Sequence, residues 1–250
     1  MTQWMSKRMR WQVSCVVMAL VFSAAATAQS ASGSASSNLA KRMQACTTCH
    51  GAGSTATVGR TANEVYFPRI AGKPAGYLYN QLAAFRDGRR HYGLMVGLVE
   101  HQSDAALREM AQYFAQLQLP YPEPQAPPAG TSAAVMQRGQ QLALRGDASK
   151  GVAACASCHG TQLLGAEPAI AGLLGLPRDY MAGQLGAWQT GMRRAHAPDC
   201  MGQIANKLQP EDVSAVVIWL AAQPVPAGAK PLPSTAGLPA PMPLPCGGGK

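Results

Sequence analysis

Charge is scarce in this chain. Asp, Glu, Lys and Arg make up 13% of its 250 residues, about half the usual ~25% share. Hydrophobic residues make up 47%, which excludes a highly charged disordered chain and leaves enough apolar material for a core. Seven cysteines are too few for a disulfide-dense secreted scaffold. No apolar run reaches the ~20 residues that a membrane-spanning helix needs. Strand-like alternation is missing as well, since nothing keeps a period of two for long. The scarcer sign is negative: 12 acidic residues face 21 basic ones, for a formal net charge of +9. Taken alone, that surplus suggests nucleic acid or an anionic membrane as partner. The length allows one large domain or two of ~100 residues.

The N-terminus reads as an export signal. Lys7, Arg8 and Arg10 precede an uncharged apolar run from Val13 to Ala26, followed by Ala26-Thr27-Ala28. Basic, apolar and small, in that order, is the pattern of a secretory signal peptide. At about 14 residues the run is too short to span a bilayer. Residues 1–28 are therefore expected to be cleaved, and Cys15 to leave with them. The next ten residues, 29–38, read as a flexible N-terminus.

What remains is a tandem repeat. Ala45-Cys46-Thr47-Thr48-Cys49-His50-Gly51 matches Ala154-Cys155-Ala156-Ser157-Cys158-His159-Gly160, and Pro68-Arg69-Ile70-Ala71-Gly72 matches Pro168-Ala169-Ile170-Ala171-Gly172. Tyr77, Gln81, Leu82, Phe85 and Gly88 match Tyr180, Gln184, Leu185, Trp188 and Gly191. Met95, Leu98 and Tyr113 match Met201, Ile204 and Trp219. Self-similarity kept in order across two segments is the mark of a duplicated unit. Prolines bracket the copies: of 19, five lie in 120–128 and eight in 224–245. Such stretches cannot continue a helix and lean toward extended conformations. The expected layout is a first unit over 39–119, a Pro-rich linker over 120–133, a second unit over 134–223 and a Pro-rich tail over 224–250.

Within each unit the apolar period is helical. Tyr77, Leu78, Gln81, Leu82 and Phe85 share one face until Gly88 stops the run. Leu107, Met110, Ala111, Phe114 and Leu117 share another, with Ser103 and Asp104 placed to cap its start. Three or four short helices with long loops make a thin core for about 85 residues, and such a unit needs something further to organise around.

Each unit carries one Cys-x-x-Cys-His: Cys46-Thr47-Thr48-Cys49-His50 and Cys155-Ala156-Ser157-Cys158-His159. This is the attachment sequence for c-type haem. One helical turn between the thiols matches the two vinyl groups on one porphyrin edge, and the adjacent histidine is directed under the iron. Two covalently bound haem c groups would complete both thin cores. Zinc would require the second cysteine pair ~15–20 residues away, whereas these pairs lie 109 apart. A thioredoxin-like pair would require a preceding strand, and none is visible.

The histidines His50 and His159 are thus the expected proximal iron ligands. For the opposite face the repeat selects Met95, 45 residues after His50, and Met201, 42 after His159. The competing donors are Met192, His91, His196 and Cys200. Histidine with thioether fills both axial positions and favours the ferrous state more than two histidines would. Electron transfer rather than catalysis follows, because a filled iron leaves no place for substrate.

These motifs resemble tandem class I cytochrome c domains, most closely the cytochrome c4 family of dihaem periplasmic electron carriers, over 39–223. The resemblance implies an all-α fold of two domains, each a few helices wrapped around a covalent haem. It also implies that the carbonyls of Pro68 and Pro168 accept the Nδ1 protons of His50 and His159, which would fix the tautomer. Arg89-Arg90 and Arg193-Arg194 lie in matched loops; Arg89 and Arg193 either neutralise haem propionates or sit as solvated charges. Tyr77, Tyr180, Phe85 and Trp188 read as core packed on haem. Cys200 and Cys246 depart from the family pattern. They either form a disulfide that pins the tail beside Met201 or remain free thiols.

The expected function is a periplasmic carrier of single electrons between redox proteins, namely membrane or periplasmic oxidoreductases, a terminal oxidase or a dehydrogenase. Rivals are a permanent cytochrome subunit of a dehydrogenase complex and a dihaem enzyme such as a thiosulfate dehydrogenase or peroxidase. Neither nucleic acid nor a membrane anchor is expected. Removing 1–28 takes away three basic residues and leaves a surplus of six. Haem propionates would reduce it further. The remainder favours the first unit, with nine basic and five acidic residues against seven and six in the second.

Overall fold

A computed structural model describes residues 38–50, 67–239 and 242–248. The expected signal peptide and Cys15 lie outside these residues. Contacts divide the chain after Cys46, so residues 1–46 and 47–250 form separate units. In the first, the described residues are helical at 38–42, and the Met43 N–H donates to the Leu39 carbonyl at 3.0 Å. Helix α1 (Gln44–His50) runs across the division.

Everything else belongs to the second unit. It holds α2 (Ala75–Arg86), α3 (Gly93–Val99), α4 (Asp104–Gln116), α5 (Ala133–Leu144), α6 (Cys155–His159), α7 (Arg178–Gln189), α8 (Cys200–Ala205) and α9 (Pro210–Ala221). Among the described residues the fold is all-α, and β pairing is limited to isolated bridges.

Local chemistry sets most of the helix ends. Ser103 accepts a hydrogen bond from the Ala106 N–H at 3.2 Å and starts α4. Ser132 does the same for α5, accepting from Val135 at 3.3 Å; each satisfies one of the donors a helix N-terminus leaves unpaired. Helix α9 begins with Pro210 at its first position inside a Gln209–Asp212 capping box. Helices α2 and α7 follow Pro74 and Pro177, and each ends just before a glycine of positive φ, Gly88 and Gly191.

Among the described residues, two apolar clusters fill the interior. Ala83, Phe85, Val99 and Leu107 form one, with Met95, Tyr79 and Leu82 packed against it. The other is larger, with Leu142, Leu176, Tyr180, Val217, Trp219 and Leu220 among its members. Helices α5 and α9 cross closely there. A Cβ on Gly139 would stand 2.6 Å from the Trp219 Cβ and strike the Ala215 carbonyl, so only glycine admits the approach. An ion cluster ties the same helices together. Asp212 is buried on α9 and pairs with Arg138 of α5 at 2.7 Å and with Lys150 at 2.7 Å, while Arg138 also meets Asp147 at 2.8 Å.

The proline-rich stretches are stitched into this unit rather than loose. The Gln125 N–H donates to Ala221 at 2.8 Å, and the Gln125 side chain accepts from the Arg178 N–H at 2.8 Å. The Arg69 guanidinium lies 3.8 Å over the Tyr121 ring. In the tail, Leu232 bridges in parallel to Ala166: its N–H donates to Gly165 at 2.9 Å and its carbonyl accepts from Glu167 at 2.8 Å.

Candidate haem-binding site

Helix α6 is little more than one turn, which is what two thiols three residues apart require to share a face. Its start follows Ala154 in extended conformation, and it ends at Gly160 with φ +82°. Cys155 is packed against the larger apolar cluster, and its Sγ lies 3.9 Å from the Leu142 carbonyl. Burial pushes the Cys155 thiol up to about 11 and raises Cys158 as well. A redox or zinc thiolate would need the opposite shift. Among the described residues no three His, Cys, Asp or Glu side chains converge as a metal-ion site.

The histidines are oriented by backbone carbonyls. His50 Nδ1 lies 2.9 Å from the Pro68 oxygen, and His159 Nδ1 lies 2.7 Å from the Ala171 oxygen. A donating Nδ1–H leaves the Nε2 lone pair for a metal. Burial lowers both pKa values, against the raising effect of those same hydrogen bonds. Both rings are therefore neutral at pH 7, the form that ligates iron.

Pro168 does not serve as the acceptor in the second copy. Ala166 and Ile170 exchange reciprocal backbone bonds of 3.0 and 2.9 Å, which places Pro168 in the turn between them. Its carbonyl faces Gly76 instead, where an added Cβ would sit 2.6 Å away. Ala171, the first residue beyond that turn, takes the histidine.

Arg89 is also elsewhere. Its guanidinium pairs with Asp87 at 3.1 Å and meets the His196 ring. The counterpart of Arg193 is Arg90. The two strands run antiparallel through an Arg90–Arg193 bridge, with the His91 N–H donating to Met192 at 3.0 Å and the Arg194 N–H to Arg89 at 2.7 Å. Both arginines are buried, at 8% and 6% exposure. The Gln81 side-chain oxygen accepts from Arg90 at 2.9 Å and from Arg193 at 2.8 Å. The Gln184 oxygen accepts from Arg90 at 2.6 Å and from Arg193 at 2.8 Å. Arg90 reaches the Tyr180 hydroxyl at 3.0 Å, and Arg193 hydrogen-bonds Tyr77. Each guanidinium also lies over an aromatic ring, Arg90 over Phe85 at 4.5 Å and Arg193 over Trp188 at 3.9 Å.

The methionines occupy matched short helices. Met95 is half-buried on α3 against the smaller cluster, and Met201 is half-buried as the second residue of α8. The rival donors are differently placed. Met192 and His91 are exposed, His196 holds Arg89, and Cys200 is bonded to Cys246.

The residues present fit haem on two counts. Burying a charge without a counter-ion is costly, yet Arg90 and Arg193 have no carboxylate partner among the described residues. The Trp188 Nε1–H is buried with no acceptor. Haem propionates are anionic acceptors that would serve both. Repeat alignment through Gly88 and Gly191 already pairs Arg90 with Arg193 and Gln81 with Gln184, so the signal for this cluster lay in the sequence, one residue from Arg89.

No protein-family model matches the chain. Among curated proteins it is 37% identical over 180 residues to a thiosulfate dehydrogenase electron acceptor of Thiomonas intermedia, covering 72% of this chain and 79% of that one. It is 30% identical over 194 residues to cytochrome c4 of Pseudomonas aeruginosa, covering 76% and 89%. The chain belongs to the cytochrome c4 family. This cytochrome is accordingly an electron carrier of the class I c type, and its cofactor is covalently bound haem c. Its fold also matches the thiosulfate dehydrogenase structure from Marichromatium purpuratum, with TM-score 0.61 and 30% identity. That match covers 72% of this cytochrome but only 36% of the other chain. No helix among the described residues is long and apolar enough to cross a membrane.

Proposed function

We propose that this chain is a periplasmic dihaem electron carrier that accepts single electrons from a thiosulfate-oxidising dehydrogenase and delivers them to a further redox protein. The observation that carries this reading is the 37% identity, across 79% of its length, to a protein named as an electron acceptor of thiosulfate dehydrogenase. In this reading one haem is held by Cys46, Cys49, His50 and Met95 and the other by Cys155, Cys158, His159 and Met201. The units 39–119 and 134–223 would be its two domains, delivered to the periplasm by cleavage after Ala28.

Haem so bound supplies a one-electron ferric–ferrous couple. The protein supplies the rest. His50 and His159 are held neutral with Nδ1 committed to a carbonyl. Met95 and Met201 would each supply a thioether to the iron, which favours the ferrous state and would leave no open position for substrate, as suits a carrier. Arg90, Arg193 and Trp188 would neutralise and hydrogen-bond the propionates.

Rapid mixing tests the proposal. Thiosulfate and catalytic thiosulfate dehydrogenase should reduce both haems of the ferric holoprotein, with two electrons taken up per chain. Failure of that dehydrogenase to reduce a protein that dithionite reduces fully would overturn the donor. A permanent subunit is the second reading, favoured by the Marichromatium purpuratum chain, in which the matching fold covers 36% of one longer polypeptide. Co-elution of cytochrome and dehydrogenase at nanomolar concentration would select it.

A further inference from the structure

The Cys200–Cys246 disulfide has no part in the site so far. Its Cα atoms are 5.1 Å apart across 46 residues of chain. Cys200 opens α8, and the next residue is Met201. The tail is fastened on either side of the bond. The Gly247 N–H donates to the Pro198 carbonyl at 3.0 Å, and Asn80 of α2 donates to the Gly248 carbonyl at 2.9 Å. Gly247 presses on the backbone so closely that any Cβ would overlap the Ala197 carbonyl.

The C-terminal end of α8 is anchored, since Gln189 donates to the Ala205 and Leu208 carbonyls at 2.9 Å and Ala205 is buried, but the stretch leading into its start has few anchors of its own. Helix α8 has six residues, too short to be stable alone. Asp199 holds its start, accepting from Gly202 at 2.8 Å and from Ala195 at 2.7 Å. Residues 193 to 197 have no helical structure and are mostly exposed. The first copy manages without such a strap: α3 has no cysteine, and Met95 packs directly on the Ala83, Phe85, Val99 and Leu107 cluster.

We propose that Cys246 and the residues after it are a positioning device for Met201. The disulfide ties the start of α8 to a tail that is itself hydrogen-bonded to Pro198 and to α2, and this restrains the Met201 thioether at the second haem alone. The inference rests on the reading of Met201 as an iron ligand. It also makes the restraint reversible. A dithiol reductant gives up two electrons and two protons and becomes a disulfide; the Cys200–Cys246 bond breaks to two thiols, and the tail is released.

The test uses the ferric holoprotein and cyanide, which enters a haem when its methionine lets go. Wild type, Cys246→Ser and Met201→Ala are compared by stopped-flow absorbance, and non-reduced peptides are mapped for the disulfide by mass spectrometry. Cys246→Ser is expected to bind cyanide at one haem on the order of tenfold faster than wild type, because removing a cross-link eases local opening. The other haem should keep the wild-type rate. If Met201→Ala binds cyanide fast but Cys246→Ser does not, the strap is refuted. If Met201→Ala binds no faster than wild type, the ligand assignment fails instead. Should Cys246→Ser fail to accumulate, folded wild type treated with a dithiol and alkylated provides the opened strap. An unchanged cyanide rate in that alkylated protein overturns the proposal.

Discussion

Lys73 should make this protein more stable as the solution becomes alkaline, and its replacement by methionine should abolish the effect. Lys73 is 9% exposed, and its ammonium donates to the Gly172 carbonyl at 2.8 Å. Burial, and then the nearby Arg69 charge, bring its pKa from 10.5 down to about 7. The unfolded chain keeps this proton up to about 10.5, while the folded chain releases it near 7. In that window the folded state binds fewer protons, so stability rises with pH; below 7 the penalty is complete, and above 10.5 it is gone. Integrated between pH 7 and pH 9, this one group contributes about 2 kcal/mol of added stability. Guanidinium unfolding of the holoprotein at the two pH values, followed by far-UV circular dichroism, measures it. Lys73→Met should be more stable than wild type at pH 7, by a margin that shrinks by about 2 kcal/mol at pH 9. A margin equal at both pH values would refute the reasoning, since it would mean that an anion accompanies the ammonium in the folded protein. The matched residue in the second copy is Leu173, so the effect belongs to one side only.

Asp212→Asn should destabilise the holoprotein by about 2 kcal/mol in guanidinium unfolding at pH 7, because Arg138 and Lys150 lose their shared buried partner. Asp147 is held down at about 2 by Ser149 and Arg138, and Asp212 is lowered by Lys150 and Arg138 despite the opposing effect of its burial. Both carboxylates thus add stability above pH 4 that is lost as the pH falls toward 2, and thermal scans across that range should show a shallower acid loss in the variant. Gly139→Val should cost about 3 kcal/mol or prevent folding, since the α5–α9 crossing has no room for a side chain. On the proposed placement of the propionates, Arg193→Gln should lower the midpoint potential of a haem in spectroelectrochemical titration, because a buried cation is lost.

The repeat, the helical class and the Cys-x-x-Cys-His motifs were legible because each is written in local spacing. Helix α4 is a case in point: Ser103 caps it, and Leu107, Ala111 and Phe114 are the buried face. What escaped were matters of direction. Whether Pro168 or Ala171 accepts from His159 depends on a turn closed by Ala166 and Ile170, and both carbonyls lie within a few residues of each other. Arg89 and Arg90 are neighbours of identical chemistry, and the turn after Gly88 sends one to Asp87 and His196 and the other inward. Trp188 was readable as core, but its unsatisfied Nε1–H appears only when its surroundings are laid out. Lys73 gave no sign at all, because a lysine after a glycine is ordinarily a surface residue. The tail read as extended, and proline content says nothing of where Leu232 comes to rest, whereas the spare cysteines did offer the Cys200–Cys246 bond as one of two alternatives.

The guanidinium–glutamine cluster bears on how this molecule arose and how far it can be divided. Arg90 bonds Tyr180 and Gln184 in the other copy, and Arg193 bonds Gln81 and Tyr77 in the other copy. A single copy would hold an arginine with two of its three side-chain acceptors missing, on a face no longer covered by the other copy. Splitting the gene between the repeats should therefore give two poorly folding fragments. After duplication, drift at either glutamine would disturb both arginines at once, so the two copies could diverge at their surfaces while their shared centre was kept in step.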